Sequence, residues 1–180
     1  KAAFALRFGD INPLISDLVT SDSRIIFERD VQTRVEMLAP FLAWDSDPYP
    51  VVLDGRIYYV LDGYTTSANY PYSQRAEISD LPPESGLNGA FNYARNSVKA
   101  TVDAYDGTVK MYVLPYVDDP VIAAWQAAFP SLFTPLSEIP PGLDQHFRYP
   151  QDLFRVQTTA FARYHLTDSN QFYEQTNGWS

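Results

Sequence analysis

The chain has 180 residues, of which 46% are hydrophobic and 19% charged, a balance that excludes an intrinsically disordered polypeptide. Thirteen basic and 22 acidic residues give a net charge of −9, which argues against nucleic-acid binding and against membrane attachment by charge alone. There is no cysteine, which excludes a disulfide scaffold, a thiolate zinc site and a cysteine nucleophile, and no apolar run of about 18 residues that would span a bilayer.

Two helices are predicted in the first quarter of the chain. Asn12 followed by Pro13 is typical of a helix start and predicts a short helix that ends near Val19. A second helix is predicted from Arg24, because apolar residues recur there every three or four positions, and Pro40 should end it. The apolar residues expected to face the core are Phe27, Val31, Val35, Leu38 and Leu42.

The first of two predicted β-hairpins lies between residues 51 and 61. Asp54-Gly55 separates its two apolar runs and is typical of a two-residue type I′ turn. Because both runs are almost continuously apolar, we expect this hairpin to be central and covered on both faces.

A second hairpin is predicted around Asp106-Gly107, again with a type I′ turn, because apolar and polar residues alternate from 98 to 104. Counting outward from that turn places Asp103 opposite Lys110. The same count puts apolar residues opposite each other on the other face of the hairpin.

The last third of the chain returns to helix. Asp119 and Pro120 predict the start of one helix, Pro150 the start of a longer one, and Asp168 the cap of a final short helix. The order of helices, two hairpins and helices predicts an α+β fold, with a small antiparallel sheet packed against several helices. We expect residues 1–180 to form a single soluble domain.

No motif predicts catalysis, a cofactor or a metal site. Ordinary packing or helix-end positions account for His146 and His165, although a metal pair formed by the two stays open. Asp45-Ser46-Asp47 resembles the start of a calcium loop but lacks its later glycine and glutamate. Most of the other acidic residues that stand out are typical of turns and helix caps, so no nucleophile and base can be nominated.

The segment after the predicted buried strand carries the candidate binding residues. Between Asp62 and Arg75 it holds three tyrosines, Tyr64, Tyr70 and Tyr72, among threonines and serines. Flat aromatic rings beside adaptable hydroxyls are typical of recognition loops, and Arg75 adds a cation for an acidic group. The alternative interpretation is that the tyrosines only close the end of the sheet.

Several long strings resemble a known family in the same order along the chain: ALRFGDINPLISD, DSRIIFERDVQTRVEMLAPFLAWDSDPYPVVLDGRIYYVLDGYTT, NYARNSVKATVDAYDGTVKMYV and HFRYPQDLFRVQ. The family is uncharacterised protein family 0182, large bacterial multi-pass membrane proteins of unknown function. The resemblance implies that the chain is a soluble fragment of a larger membrane protein, placed outside the cytoplasm. It brings no catalytic residues with it.

Together these features favour a non-catalytic module that binds an envelope component, such as a glycan, lipid or protein, or another part of its own parent protein. One alternative is a carboxylate-based hydrolase that acts on a glycan or ester, and another is a purely structural spacer, which a surface without a cleft would favour. Two carboxylates about 5–9 Å apart in an open cleft would favour hydrolysis, whereas aspartates spread over turns and caps would favour the module.

Overall fold

One mixed sheet of six strands organises the part of the chain that the structure, a computed structural model, describes: residues 1–23, 25, 27–76, 78–115 and 118–174. The strand order is β1, β3, β4, β5, β6, and β2 pairs with the same edge of β3 as β1 does. All pairs are antiparallel except β5 with β6. The strands are Ala43–Trp44 (β1), Tyr49–Leu53 (β2), Arg56–Ser67 (β3), Tyr93–Asp103 (β4), Val109–Val113 (β5) and Phe133–Thr134 (β6).

The described residues also form six α-helices, so the predicted α+β class is confirmed. They are Ala2–Phe8 (α1), Asn12–Ile15 (α2), Val31–Leu38 (α3), Pro120–Ala128 (α4), Gln151–Tyr164 (α5) and Ser169–Glu174 (α6). Short 3-10 helices lie at Gly86–Asn88, Leu136–Glu138 and Asp144–His146. No helix in these ranges combines the length and apolarity that crossing a membrane needs.

The sheet buries apolar side chains on both faces. The larger core joins α3 and α4 to one face through buried residues such as Val35, Trp44 and Ile122. On the opposite face, Tyr49 and Val60 pack with Leu143, while a further cluster around Tyr64 reaches α5. Helix α5 therefore covers the part of the sheet formed by the ends of β3 and β4.

The first hairpin has the predicted turn but not the predicted burial. Asp54 and Gly55 have φ values of 50° and 75°, as a type I′ turn requires, and β2 and β3 flank them. However, β2 pairs only with β3, and Val52 on its outer face is 69% exposed. The expectation of a hairpin covered on both faces is therefore wrong for β2, which is an edge strand.

The second hairpin forms at the predicted place, but its register differs by two residues. Lys110 lies opposite Thr101 and not opposite Asp103, whose partner in β3 is Tyr58. The turn is longer than a type I′ turn, because the N–H of Gly107 donates to the carbonyl of Asp103, 2.8 Å away. Only Gly107 of the predicted turn pair has a positive φ, 72°. A shift of two residues keeps apolar residues on one face, so alternation could not exclude it.

Helix α3 begins later than predicted. Asp30 caps it by accepting a hydrogen bond from the N–H of Thr33 at 2.8 Å, and the predicted start, Arg24, lies outside the described residues. Phe27 precedes the helix and is half exposed, Leu38 is also half exposed, Val31 is half buried, and Val35 and Leu42 are buried. The predicted apolar stripe is thus partly wrong, because Phe27 lies before the eight-residue helix and Leu38, its last residue, is not covered.

The other helix boundaries follow local signals. The side chain of Asp119 caps α4 and that of Asp168 caps α6, as predicted, and α5 begins directly after Pro150. Helix α2 is shorter than predicted and ends at Ile15.

The first two helices bury no residue and leave several large apolar side chains exposed, which are together called the N-terminal apolar surface. Its exposed side chains are Leu6, Phe8, Ile11, Ile15, Leu18 and Phe27.

Candidate functional site

The predicted recognition loop, residues 62–75, starts later than the sequence predicted. Strand β3 continues through Ser67, so Tyr64 lies within the sheet and its side chain is fully buried. Its hydroxyl donates to the carboxylate of Asp45. Tyr64 is therefore part of the core, and Tyr70, Tyr72 and Arg75 are the predicted residues that reach the surface.

Asn92 holds the loop that carries Tyr70 and Tyr72 in one shape. Its side-chain amide donates to the carbonyls of Tyr70 and Ser73 at 2.8 and 3.1 Å, and its Oδ1 accepts from the N–H of Tyr70 at 2.9 Å. The Tyr70 ring stacks on that of Tyr93, with 5.3 Å between ring centres. Tyr72 is fully exposed at the tip, with a φ of 56°. The loop thus presents a bare aromatic ring on a fixed backbone.

Arg75 lies in a groove between this loop and α5, here called the loop–helix groove, with a volume of about 400 Å³. A second arginine, Arg163, reaches the groove from α5 and lies 5.6 Å from the ring centre of Tyr164. The Tyr164 hydroxyl donates to Gln74 and joins the two walls. The other lining residues are Ala76, Ser79, Val156, Thr159 and Ala160.

The charge in this groove is opposite to that of the chain as a whole. Among the described residues, no carboxylate forms an ion pair with Arg75 or Arg163, although the chain carries a net charge of −9. Two guanidinium groups that have no ion-pair partner in the described part of the chain, beside hydroxyls, favour an anionic, hydroxylated ligand. The sequence could not predict that Arg163 lies near Arg75. Its spacing from Val156 and Ala160 places it on one face of its own helix but does not say what that face contacts.

A buried ion pair joins strands β3 and β4 at a carboxylate that the sequence placed at the start of the candidate loop. Asp62 pairs with Lys99, and both side chains are almost completely buried. The amide of Asn96 also donates to Asp62, at 2.8 Å. Burial raises the pKa of Asp62 to about 6, against the lowering effect of Lys99 and Asn96.

A second buried group of carboxylates fixes the first turn of α5. Asp152, which is fully buried, accepts from the N–H and hydroxyl of Ser46 at 2.9 and 2.8 Å. In return, the N–H of Asp152 donates to Asp45 at 2.9 Å. Burial raises the pKa of Asp45 although its hydrogen bonds with Tyr64 and Asp152 lower it. The calcium-loop resemblance around Asp45 is therefore explained by a contact that docks α5 on β1.

Neither histidine lies in these networks. His146 is exposed in a 3-10 helix, and His165 follows the last residue of α5. Within the described ranges, no three histidine, aspartate or glutamate side chains are grouped so as to hold a metal ion.

Comparison with known proteins assigns the chain to a family. Relatives include UPF0182 proteins of Frankia casuarinae, Rhodococcus jostii and Micrococcus luteus, which are 46%, 48% and 43% identical over 99–100% of this chain. The chain spans about 18% of the length of these relatives, so it corresponds to a fragment of a larger protein. No solved structure matches it. The model of the family described as "Uncharacterised protein family (UPF0182)" matches residues 1–180, and the chain therefore belongs to that family.

Proposed function

We propose that this chain is a non-catalytic module of a multi-pass membrane protein, placed on the extracytoplasmic side, that binds an acidic envelope glycan. The observation that carries the proposal is the loop–helix groove, where Arg75 and Arg163 face no described acidic partner in a chain of net charge −9. The exposed ring of Tyr72 lies on the loop that forms one wall of the groove.

The chemistry of the groove suits an acidic sugar better than a neutral one. Arginine binds carboxylates through two parallel hydrogen bonds, which give direction as well as strength. Tyrosine offers a flat apolar face for a sugar ring and little side-chain freedom to lose on binding. Ser79 and Thr159 line the same groove, and hydroxyl side chains suit the polar edges of a saccharide.

The arrangement of carboxylates supports a binding role over hydrolysis. A glycosidase needs two carboxyl groups about 5–9 Å apart across an open cleft. Asp45, Asp62 and Asp152 are instead buried and bound to residues of the fold. The hydrolase alternative remains testable, because it requires the purified chain to turn over a glycan or ester, which a binding module would not do.

The N-terminal apolar surface supports a second contact, with the remainder of the parent polypeptide. Leu18 at its far end is 91% exposed, and burying one such side chain is worth about 1.5–3 kcal/mol. Since the chain spans about 18% of its relatives' length, most of the parent is available to cover this area. Photo-crosslinking from position 18 in the full-length parent should link it to the parent's own chain, and exclusive linkage to lipid or to a second copy would contradict the proposal.

Binding can be tested with the purified chain and isolated envelope polysaccharide. The wild type should sediment with an acidic polysaccharide and be released by salt, while Tyr72→Ala and Arg75→Gln should each reduce the bound fraction several-fold. Tyr105→Ala is the matched control, because Tyr105 is also exposed but lies in the turn after β4, away from the groove. Equal retention of all four proteins would refute the proposed glycan contact.

The extracytoplasmic position has its own experiment. Because the chain has no cysteine, a single cysteine at Tyr72 in a full-length parent that is otherwise free of cysteine reports on that site alone. A membrane-impermeant maleimide should label it in intact cells. Labelling only after the cells are permeabilised would place the module on the cytoplasmic side.

A further inference from the structure

A second cleft lies on the other flank of α5, where the first residues of β4 meet the segment before the helix. Its volume is about 380 Å³, which falls within the usual range for small-molecule sites. Leu153 and Gln157 of α5 form one side of it. The remaining lining residues are Ala94, Arg95, Asn96, Phe147, Arg148, Tyr149 and Pro150.

The main chain of Arg148 is held from two directions beside this cleft. Its N–H donates to the hydroxyl of Tyr49 at 3.0 Å, and its carbonyl accepts from Nζ of Lys99 at 2.6 Å. Its guanidinium lies 4.5 Å from the ring centre of Tyr49. An arginine fixed in this way loses little conformational freedom when it binds a ligand.

The same contacts give the buried ion pair of Asp62 and Lys99 a positioning role. A buried pair such as Asp62 with Lys99 adds little stability over an apolar pair of similar volume, because both charges must leave water. Lys99, however, spans from Asp62 to the carbonyl of Arg148 and so joins β4 to the cleft wall. Asn96, which donates to Asp62 at 2.8 Å, also lines the cleft.

We infer that this cleft binds a small sugar acid through Arg148, and that Tyr49, Lys99 and Asp62 position that arginine. Arg148 provides the bidentate donor for an oxyanion. The Asn96 amide nitrogen is already engaged with Asp62, which leaves its oxygen to accept from a ligand hydroxyl. Likewise, Gln157 Oε1 accepts from Tyr149 at 2.6 Å, which leaves its amide nitrogen to donate.

The apolar walls complete the match to a sugar-sized ligand. Phe147, Pro150 and Leu153 line the cleft beside these polar groups. A carboxylate and a phosphate present the same oxyanion chemistry to Arg148. The test therefore uses one probe of each kind, to distinguish a sugar acid from a sugar phosphate. The cleft is distinct from the loop–helix groove, since the two share no lining residue.

The test titrates the purified chain with glucuronate, glucose 6-phosphate and glucose by isothermal calorimetry at low salt. Glucuronate should bind and glucose should not. Binding of glucose 6-phosphate but not glucuronate would overturn the sugar-acid assignment, and equal affinity for glucose and glucuronate would overturn the role of Arg148. Arg148→Gln should weaken glucuronate at least tenfold, whereas Arg7→Gln, an exposed arginine of α1, should not change it.

The positioning role needs a variant that folds. Lys99→Met would leave Asp62 buried without its partner and is expected to disrupt folding. Tyr49→Phe keeps the ring beneath the guanidinium and removes only the hydroxyl that holds the Arg148 N–H. It should weaken glucuronate about three- to tenfold with an unchanged circular dichroism spectrum, and unchanged affinity would refute the positioning role. Arg75→Gln should leave glucuronate binding intact, so this result does not depend on the loop–helix groove.

Discussion

Replacing Asp119 with alanine should destabilise the fold far more than removal of an ordinary helix cap. Its Oδ1 accepts from the N–H of Val121 at 2.9 Å, which caps α4, and from the hydroxyl of Tyr93 at 2.8 Å. Its Oδ2 accepts from the hydroxyls of Thr65 and Ser97, which lie on β3 and β4 and are almost completely buried. The substitution therefore removes a cap and also an acceptor shared by two strands.

The magnitude follows from these contacts. A lost N-cap costs about 1 kcal/mol. A lost hydrogen bond to a charged group costs about 1.5–3 kcal/mol when the donor stays buried. Thr65 and Ser97 lie 3.1 Å apart and can still bond to each other, so only one buried hydroxyl loses its partner. We therefore expect Asp119→Ala to lower the free energy of unfolding by about 2.5–4 kcal/mol.

Urea denaturation followed by circular dichroism measures this effect against a matched control. Asp30 caps α3 on the surface by accepting from Thr33, so Asp30→Ala should cost about 1 kcal/mol. Equal losses for Asp30→Ala and Asp119→Ala would refute the reasoning, because they would show that the buried hydroxyls do not depend on Asp119.

The pH dependence of stability gives a second measurement of the role of Asp119. Burial acts to raise the pKa of Asp119, but hydrogen bonds from Ser97, Thr65 and Tyr93 hold it below its ordinary value of 3.8. The stability that this lowered pKa provides is present above pH 3.8 and is lost as the pH falls through the folded-state pKa. As the pH falls, Asp119→Asn should therefore lose less of its free energy of unfolding than the wild type. An equal loss in the two proteins would contradict the lowered pKa of Asp119.

Three further substitutions test the packing. Gly86→Ala should cost at least 1–3 kcal/mol, because its Cβ would lie 2.3 Å from the backbone nitrogen of Trp44, and an unchanged urea midpoint would contradict that contact. Gly107→Ala should lower the melting temperature because its φ is 72°, whereas Gly89→Ala, with open space and a φ of −82°, should leave it nearly unchanged. Asp152→Ala should increase hydrogen exchange in the first turns of α5, and equal protection in both proteins would show that this carboxylate does not dock the helix.

The features that the sequence predicted correctly depend on residues close together in the chain. Asp119 with Pro120 marks the start of α4, and Asp54 with Gly55 marks the first turn, because caps and tight turns need particular side chains within two or three positions.

The register of the second hairpin depends on a distant residue as well. Arg34 of α3 donates to the carbonyl of Gly107 at 2.8 Å, across 73 residues, and supports the longer turn. No pattern within the hairpin carries that information, since registers two residues apart place the same side chains inward.

The residues of the candidate sites could likewise be predicted only in part. The exposed residues Tyr70, Tyr72 and Arg75 belong to one segment that composition alone singled out, whereas Tyr64 is buried because β3 is extended by pairing with β4. Arg163 comes from α5, which lies beside Arg75 only in the folded chain. Positions so far apart in sequence meet through tertiary packing, which periodicity does not encode.

Helix α5 contributes lining residues to both proposed sites, which gives them one structural element in common. Gln157 lines the cleft on one flank, and Val156 lines the groove on the other. The helix is anchored at its first turn through Asp152, while its last turn near Tyr164 is half exposed. A ligand that shifts the helix about this anchor changes both walls at once. By thermodynamic reciprocity, if the first ligand changes the affinity for the second by some factor, the second changes the affinity for the first by the same factor.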